Sequence, residues 1–581
     1  MSGSKDLSSG GAPTREHDRD ARLLLLLSIV VGVVSGLLVV AFRLCITKLS
    51  VLLLGGSPQP HHVRLMVVPA VTGLVVGVLV RFVFPGARGS GVNQTKAALY
   101  IHNGYISGRT TVGKFLLSAL AIGSGQSLGP EDPSLQIGAG LASFISRRVG
   151  LSRARLRVFA PIGAAAGLAA AFNAPISAIL FVIEEVIGNW SADILGSIVL
   201  AAISSVVIAR WFLGADAMFH IPTVNLANPL ELLAYAVLGI TGGFASLLFT
   251  QCLRWLRPRL RRQSSNWQML QPAAAGFLVG CIGYFGLPQV MGAGYGAMDA
   301  AMRGVFTWKL LLLLALFKIV ATTLSFSSGT PGGMFAPTLF IGGMLGAAVG
   351  SFENHFFPHL GGSLGSYALV GMGVLFAAFL RAPLTSIFMA MELSQDYSIV
   401  VPVILANTVA YLIARTLQPV PIFEEFTRED GLDLPSMEER REEHDLRLED
   451  AMQAVNVPVL PGSDSLAAIA ETLEQYGDET RNSSAILVQC RHRSWYSATR
   501  QEILDLLEGM DAVASGETLE QKLKPERTPV LFPDLPLDAA LPHFRRWPLL
   551  PITNRAARGA LEGTVSQEDV LLGYQGRSTK L

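Results

Sequence analysis

Residues 22 to 43 read RLLLLLSIVVGVVSGLLVVAFR, an apolar run with an arginine at each end that is long enough to cross the hydrocarbon core of a bilayer. A secretory signal would carry a shorter apolar region with a small-residue cleavage site behind it, so the run reads as a retained helix. The composition agrees, since half of the 581 residues are hydrophobic and 15% are charged, too few to cover a soluble protein of this length. Residues 1–20, where acidic and basic side chains nearly balance, are expected to form a disordered cytoplasmic tail. A net charge of +1 gives no reason to expect a nucleic-acid partner.

Further apolar segments follow to about residue 417, several of them short and bounded by Gly or Pro. Examples are 112–122, 135–145 and 336–350. Interrupted segments in a membrane chain are the expected mark of half-helices lining a buried polar site. Two arginine-rich stretches set the orientation. Arg147, Arg148, Arg153, Arg155 and Arg157 form one expected loop, and Arg254, Arg257, Arg259, Arg261 and Arg262 form another, both facing the cytoplasm.

The membrane region repeats itself. FPGARGSGVNQTKAA from Phe84 resembles LPQVMGAGYGAMDAA from Leu287, 203 residues later. SGQSLGPEDPSLQIGAG from Ser124 resembles SGTPGGMFAPTLFIGG from Ser328 at an offset of 204, and APISAILFVIEE from Ala174 resembles APLTSIFMAMEL from Ala382 at 208. Three matches in one order, with aligned glycines and prolines, point to a duplicated chain with repeats over about 21–215 and 225–425. Duplicated membrane halves hold substrate at their interface near the midplane, and they are inverted if each half crosses the bilayer an odd number of times.

Each repeat places a Gly-rich turn before a proline that is able to start a helix. Such a turn leaves several backbone N–H groups pointing forward. Helix N-termini carry partial positive charge, so several that converge make an anion site without a full charge to hold the ion too tightly. The candidate turns are Gly89-Ser90-Gly91, Gly129-Pro130-Glu131-Asp132-Pro133 and Gly333-Met334-Phe335-Ala336-Pro337.

These three segments, in this order, resemble the signature regions of the CLC family of chloride channels and proton-coupled chloride transporters. The likeness extends over roughly residues 20–425, with GAAAGLAAAFNAPISAILFVIEE (Gly163–Glu185) as its longest close stretch. It implies an all-α polytopic domain over 21–425, built from two inverted repeats of tilted and broken helices. It also implies a homodimer with one anion pathway per subunit, in a cell membrane, with both termini cytoplasmic. Ser90 matches the serine whose hydroxyl contacts the central anion, beside Gly91, and the amides of Met334 and Phe335 match those that complete the site. Glu131 matches the gate, a carboxylate that occupies an anion position and leaves when protonated. Glu185 matches the inner proton-transfer glutamate of proton-coupled members; its neighbour Glu184 points about 100° away and cannot share that role.

Three departures stand out. Asp132 replaces the usual glycine after the gate, either as a helix cap or as a charge that perturbs Glu131. Val92-Asn93-Gln94 replaces Ile-Pro-Glu. Phe423 stands where a tyrosine hydroxyl usually contacts the anion, a loss of about 1 kcal/mol or more at a desolvated site. The expected function is proton/chloride antiport. A passive chloride channel, a fluoride exporter and a non-transporting membrane sensor remain open alternatives. An enzyme is not expected: the four cysteines lie far apart, and His61, His62, His102 and His220 lack ligand spacing, so no metal and no required cofactor are expected.

After Pro421 the character changes. Residues 426–450 read as a solvated linker, and 451–575 as a soluble cytoplasmic α/β domain with a strand at 485–488 and an amphipathic stretch at 466–476. The tail has its own weak repeat: Val457-Pro458-Val459-Leu460 resembles Thr528-Pro529-Val530-Leu531, and Thr499-Arg500-Gln501-Glu502 resembles Ser566-Gln567-Glu568-Asp569. It resembles a CBS-domain pair, which implies an adenine nucleotide near Ser566 and Asp569 or, equally, a structural dimerisation module. No Gly-rich phosphate loop is present, so hydrolysis is not expected.

Overall fold

The computed structural model describes residues 13–55, 59–149, 153–188, 192–214, 219, 229–357, 362–432, 434, 446–455, 457–475, 485–491, 494–508, 517–523, 526–555 and 560–578. They form two compact units, Met1–Pro435 and Ser436–Leu581. The first is all-helical. Its first repeat contains α1 (Pro13–Leu54), α2 (Arg64–Phe82), α3 (Gly91–Tyr100), α4 (Gly108–Gly123), α5 (Glu131–Arg148), α6 (Arg153–Phe172), α7 (Pro175–Phe181) and α8 (Ala192–Leu213). The second contains α9 (Glu231–Arg261), α10 (Ser265–Tyr284), α11 (Tyr295–Met302), α12 (Trp308–Ser327), α13 (Phe335–Phe356), α14 (Leu364–Leu380), α15 (Pro383–Ser394) and α16 (Val400–Leu417). A last helix, α17 (Ile422–Glu429), follows. Among the described residues, eight helical segments are long and apolar enough to cross a membrane.

The duplication seen in the sequence is a structural one. Helices α3 and α11, and α5 and α13, begin 204 residues apart. Close approach between helix backbones in lipid depends on small residues, and these too recur in pairs. A methyl group added at Gly73 of α2 would overlap the Pro272 carbonyl of α10, and one added at Gly276 of α10 would overlap the Pro69 carbonyl of α2. That contact is its own mirror under a local two-fold. Gly138 of α5 packs against Gly163 of α6 in the same way that Gly342 of α13 packs against Gly371 of α14. At the centre, Gly129 and Gly333 form an antiparallel bridge, each N–H donating to the other's carbonyl at 2.8 and 2.9 Å. Equivalent segments paired antiparallel are what inverted repeats produce.

Several local readings need correction. The segment 336–350 is no half-helix: α13 continues to Phe356 and, at 22 residues, is long enough to span, because the polar turn after Gly350 stays helical. The arginine stretches are largely helix ends rather than loops. Arg147 and Arg148 close α5, and Arg254, Arg257, Arg259 and Arg261 occupy the last turns of α9, where cations complement the helix dipole. The first helix starts at Pro13, so 13–20 is helical rather than disordered, as a proline at the first helical position followed by charged helix formers allows. The proposed 426–450 linker divides: Phe426 and Thr427 are buried in the membrane unit, while Leu446 and Leu448 belong to the core of the second unit.

The second unit is α/β. Strand β1 (Val459–Pro461) pairs parallel with β2 (Ala485–Cys490), which pairs antiparallel with β3 (Ser494–Thr499); β4 (Leu549–Thr553) pairs antiparallel with β5 (Leu561–Ser566). A helix follows β3 at Arg500–Glu508 and another follows β5 at Gln567–Ser578, the same strand-strand-helix order twice. The copies diverge before β4, where Pro542 sits in a 3-10 segment, Leu537–Arg545, in place of the regular helix Leu466–Gln475.

Candidate functional site

Three helix N-termini lie around the Gly129–Gly333 bridge, those of α3, α5 and α13. The prolines of the two aligned motifs stand at the third helical position rather than the first, since α5 begins at Glu131 and α13 at Phe335. Either place is tolerated, because the first-turn N–H groups have no intrahelical acceptor. Among the described residues, the amides of Met334 and Phe335 donate to no protein acceptor, and both residues are fully buried. The Phe335 ring packs between Phe172, Phe181 and Phe376 and meets the Phe423 ring edge-on at 6.4 Å. Phe423 is therefore at the site, buried and without a hydroxyl.

Glu131 opens α5 but does not cap its own helix. Its carboxylate crosses to the second repeat, where Ala336 N–H of α13 donates to Oε2 at 3.3 Å and the Tyr295 hydroxyl donates to Oε1. The chain buries this carboxylate completely. Asp132 turns the other way. Its Oδ1 accepts from the amides of Gly91 at 2.5 Å and Val92 at 3.0 Å, at the N-terminus of α3, beside Ser90, whose own Oγ accepts from Val92 N–H at 3.2 Å.

Two buried lysines, one per repeat and 204 residues apart, hold the turns from behind. Lys318 Nζ of α12 donates to the carbonyls of Val290 (2.9 Å) and Gly292 (2.7 Å). Lys114 Nζ of α4 donates to those of Ala87 (3.3 Å) and Gly89. Drawing the carbonyls back leaves amides forward and places positive charge behind an anion pathway.

The two glutamates after α7 sit in a π-turn, Val182–Ile187, and part company as their angular separation requires. Glu184 reaches α15 and accepts from Leu384 N–H (3.3 Å), Thr385 N–H (3.0 Å) and the Thr385 hydroxyl (2.8 Å). Glu392 of α15 does the same for α7, accepting from Ile176 (2.9 Å) and Ser177 (2.8 Å). Glu185 instead forms a buried ion pair with Lys96 of α3, both side chains 3% exposed, and the same ammonium lies 5.9 Å from the centre of the Phe423 ring.

A cavity of about 640 Å³ reaches the Ser90 turn, with Gly89 and Gln94 in its wall and Arg88, Arg257 and Arg261 around it. Arg257 and Arg261 also bind α17. Arg257 pairs with Glu429 and, at 2.8 Å, with Asp430, while Arg254 pairs with Glu425 at 2.7 Å. In the tail, Asp569 Oδ2 accepts from Ser566 N–H (2.8 Å) and its hydroxyl (2.6 Å), a reciprocal cap on the helix after β5.

The expected residues Ser90, Gly91, Glu131, Met334, Phe335 and Phe423 thus come together, whereas Ser566 and Asp569 cap a helix. Lys96, Tyr295 and the two supporting lysines were not anticipated. Lys114 and Lys318 had a signal, a lysine at the repeat offset within each of two apolar helices; Lys96 had none.

Inverted repeats whose helix N-termini face a dehydrated centre define a membrane protein with a pathway suited to an anion. The voltage gated chloride channel family model matches residues 72–415, more than half of the chain, and the protein belongs to this family, the CLC family. It is 32% identical over 421 residues to the H(+)/Cl(-) exchange transporter ClcA of Citrobacter koseri, covering 70% of this chain and 89% of that one. It is 30% identical over 427 residues to a ClcB-like protein of Ralstonia nicotianae, covering 71% of this chain and 99% of that one. Among solved structures, a slow cyanobacterial Cl-/H+ antiporter superposes with a TM-score of 0.64 at 25% identity, over 70% of this chain and 97% of its own.

Proposed function

We propose that this protein exchanges chloride for protons across a cell membrane, as a homodimer with cytoplasmic termini and one pathway per subunit. The observation that carries the reading is the Glu131 carboxylate on the N-terminus of α13. A carboxylate that takes hydrogen bonds from a helix N-terminus stands where an anion would bind, and it loses that hold when it is protonated. Chloride then takes its place between the amides of Met334 and Phe335 and the hydroxyl of Ser90, while Glu131 carries the proton outward. Glu185 loads protons from the inner side, and Lys96 compensates its charge between loadings.

Phe423 favours a second reading, a passive chloride channel, because the pathway lacks one hydroxyl donor and holds the ion less firmly. In the tail, an adenine nucleotide is proposed near Ser566 and Asp569, with Oδ1 of Asp569 taking a ribose hydroxyl; equilibrium dialysis with ATP tests it.

The test of exchange is reconstitution. In liposomes under a chloride gradient and no proton gradient, the protein should drive protons uphill until the chloride gradient is spent. Chloride flux without proton movement would leave the channel reading in place, and absence of any flux would overturn both.

A further inference from the structure

Glu131 has a partner to which the exchange cycle gives no task. The Tyr295 hydroxyl of α11 donates to Oε1, while Oε2 takes the Ala336 amide of α13 at 3.3 Å. Among the described residues, Tyr295 brings the one side-chain donor to this carboxylate. Glu131 is fully buried, so water does not compete for the bond.

Local structure fixes the ring. Lys318 holds the preceding turn by the carbonyls of Val290 and Gly292. Gly294 then turns the chain at a φ of 86°, a left-handed value that favours glycine. A Cβ at Gly294 would also stand 2.5 Å from the Phe340 ring, so a larger residue would displace the start of α11. Counting back 204 residues, the counterpart of Tyr295 in the first repeat is Gly91, which has no side chain to offer. The hydroxyl belongs to one half of the duplication and serves the carboxylate of the other.

The Glu131 carboxylate and a halide compete for one anion position at the N-terminus of α13. A hydrogen bond to an ionised acceptor is about twice as strong as a neutral one, so a hydroxyl on the carboxylate weighs heavily. Phe423 gives the halide no hydroxyl, and Tyr295 gives the carboxylate one. Both features tilt the competition toward the gate.

We propose that Tyr295 is the latch of the gate, a positioning residue whose hydroxyl holds ionised Glu131 on α13 against displacement by chloride. Protonation of Glu131 weakens the latch, because a neutral carboxyl is the poorer acceptor. Release of the gate is thereby tied to protonation in a pathway that offers its halide one donor fewer. The inference deepens the exchange reading and rests on it.

Tyr295→Phe removes the hydroxyl and keeps the ring. By titration calorimetry near neutral pH, the full-length variant should bind chloride about tenfold more tightly than the native protein, since the competing carboxylate loses a charge-assisted bond. In a Glu131→Ala background the same change should bring no tightening, because no carboxylate remains to be held. In liposomes, the pH of half-maximal chloride flux should rise by about one unit in Tyr295→Phe, the same tenfold read as proton concentration. The sign follows because a gate without its donor is protonated, and leaves, at a lower proton concentration. The other charged groups within electrostatic reach of Glu131 are Arg43 of α1, Asp132 of α5 and Lys318 of α12, and the variant keeps all three. Unchanged or weaker chloride binding, or an unchanged pH profile, would overturn the latch and leave exchange standing. Tightening that persists in the Glu131→Ala background would mean that the ring acts through packing, and would overturn it equally. A Glu131→Ala protein that neither binds nor moves chloride overturns the transport reading, and this proposal with it.

Discussion

The two repeats share a scaffold and divide the chemistry. Helix α5 of the first repeat opens with Glu131 and Asp132; its counterpart α13 opens with Phe335 and Ala336, which offer backbone amides and an apolar wall. Helix α3 opens on a small Ser-Gly turn, whereas α11 opens with Tyr295, whose hydroxyl reaches the gate. The parts that set geometry are the same in both halves: a lysine behind the turn, a glycine at the central bridge, a glutamate capping the helix of the other repeat. Duplication supplies the converging N-termini, and substitution at their first turns decides which half carries charge and which half receives it.

That contrast can be broken most severely at its charged end. In liposomes under a chloride gradient, Glu131→Gln should abolish uphill proton movement while chloride flux survives. A variant that still pumps protons would remove Glu131 from the proton route. The Lys96–Glu185 pair comes next. Lys96→Met leaves a carboxylate buried without its partner and should destabilise the protein by about 3–5 kcal/mol, read as thermal unfolding in detergent. Replacing both residues by apolar ones should recover most of the loss, and no difference between the single and double variants would show that the pair is not coupled.

Smaller effects sharpen the picture. Phe423→Tyr adds one donor near the anion pathway and should tighten chloride binding by about 1 kcal/mol, or roughly fivefold. Weaker or unchanged binding would place the ring away from the ion. The reciprocal caps give the finest test of symmetry: Glu184→Gln and Glu392→Gln should each cost about 1 kcal/mol, and by similar amounts. A marked inequality would show that the two-fold does not extend to energetics.

How far the sequence revealed all this follows from the range of the interactions. Gly and Pro punctuate helix ends locally, so the turns at Ser90, Glu131 and Met334 were legible, as was the duplication that aligns them. The α/β tail announced itself through alternation and amphipathic spacing. Contacts between segments distant in the chain left no local mark. Nothing in GVNQTKAALY indicates that Lys96 meets Glu185, and nothing near Glu184 names Thr385 as its partner. Val92-Asn93-Gln94 of α3 carries no sign that Gln94 bonds Gln136. Helix ends were misjudged where polar residues continued a helix, as in α13 and in the arginine-rich end of α9, because polarity alone does not terminate hydrogen bonding.

Whether helix N-termini from both halves meet around one halide is tested directly by anomalous diffraction from bromide-soaked crystals of Glu131→Gln. A bromide peak is expected within hydrogen-bonding distance of the Met334 and Phe335 amides and the Ser90 hydroxyl. Well-ordered crystals with bromide elsewhere, or with none between α3, α5 and α13, would contradict it.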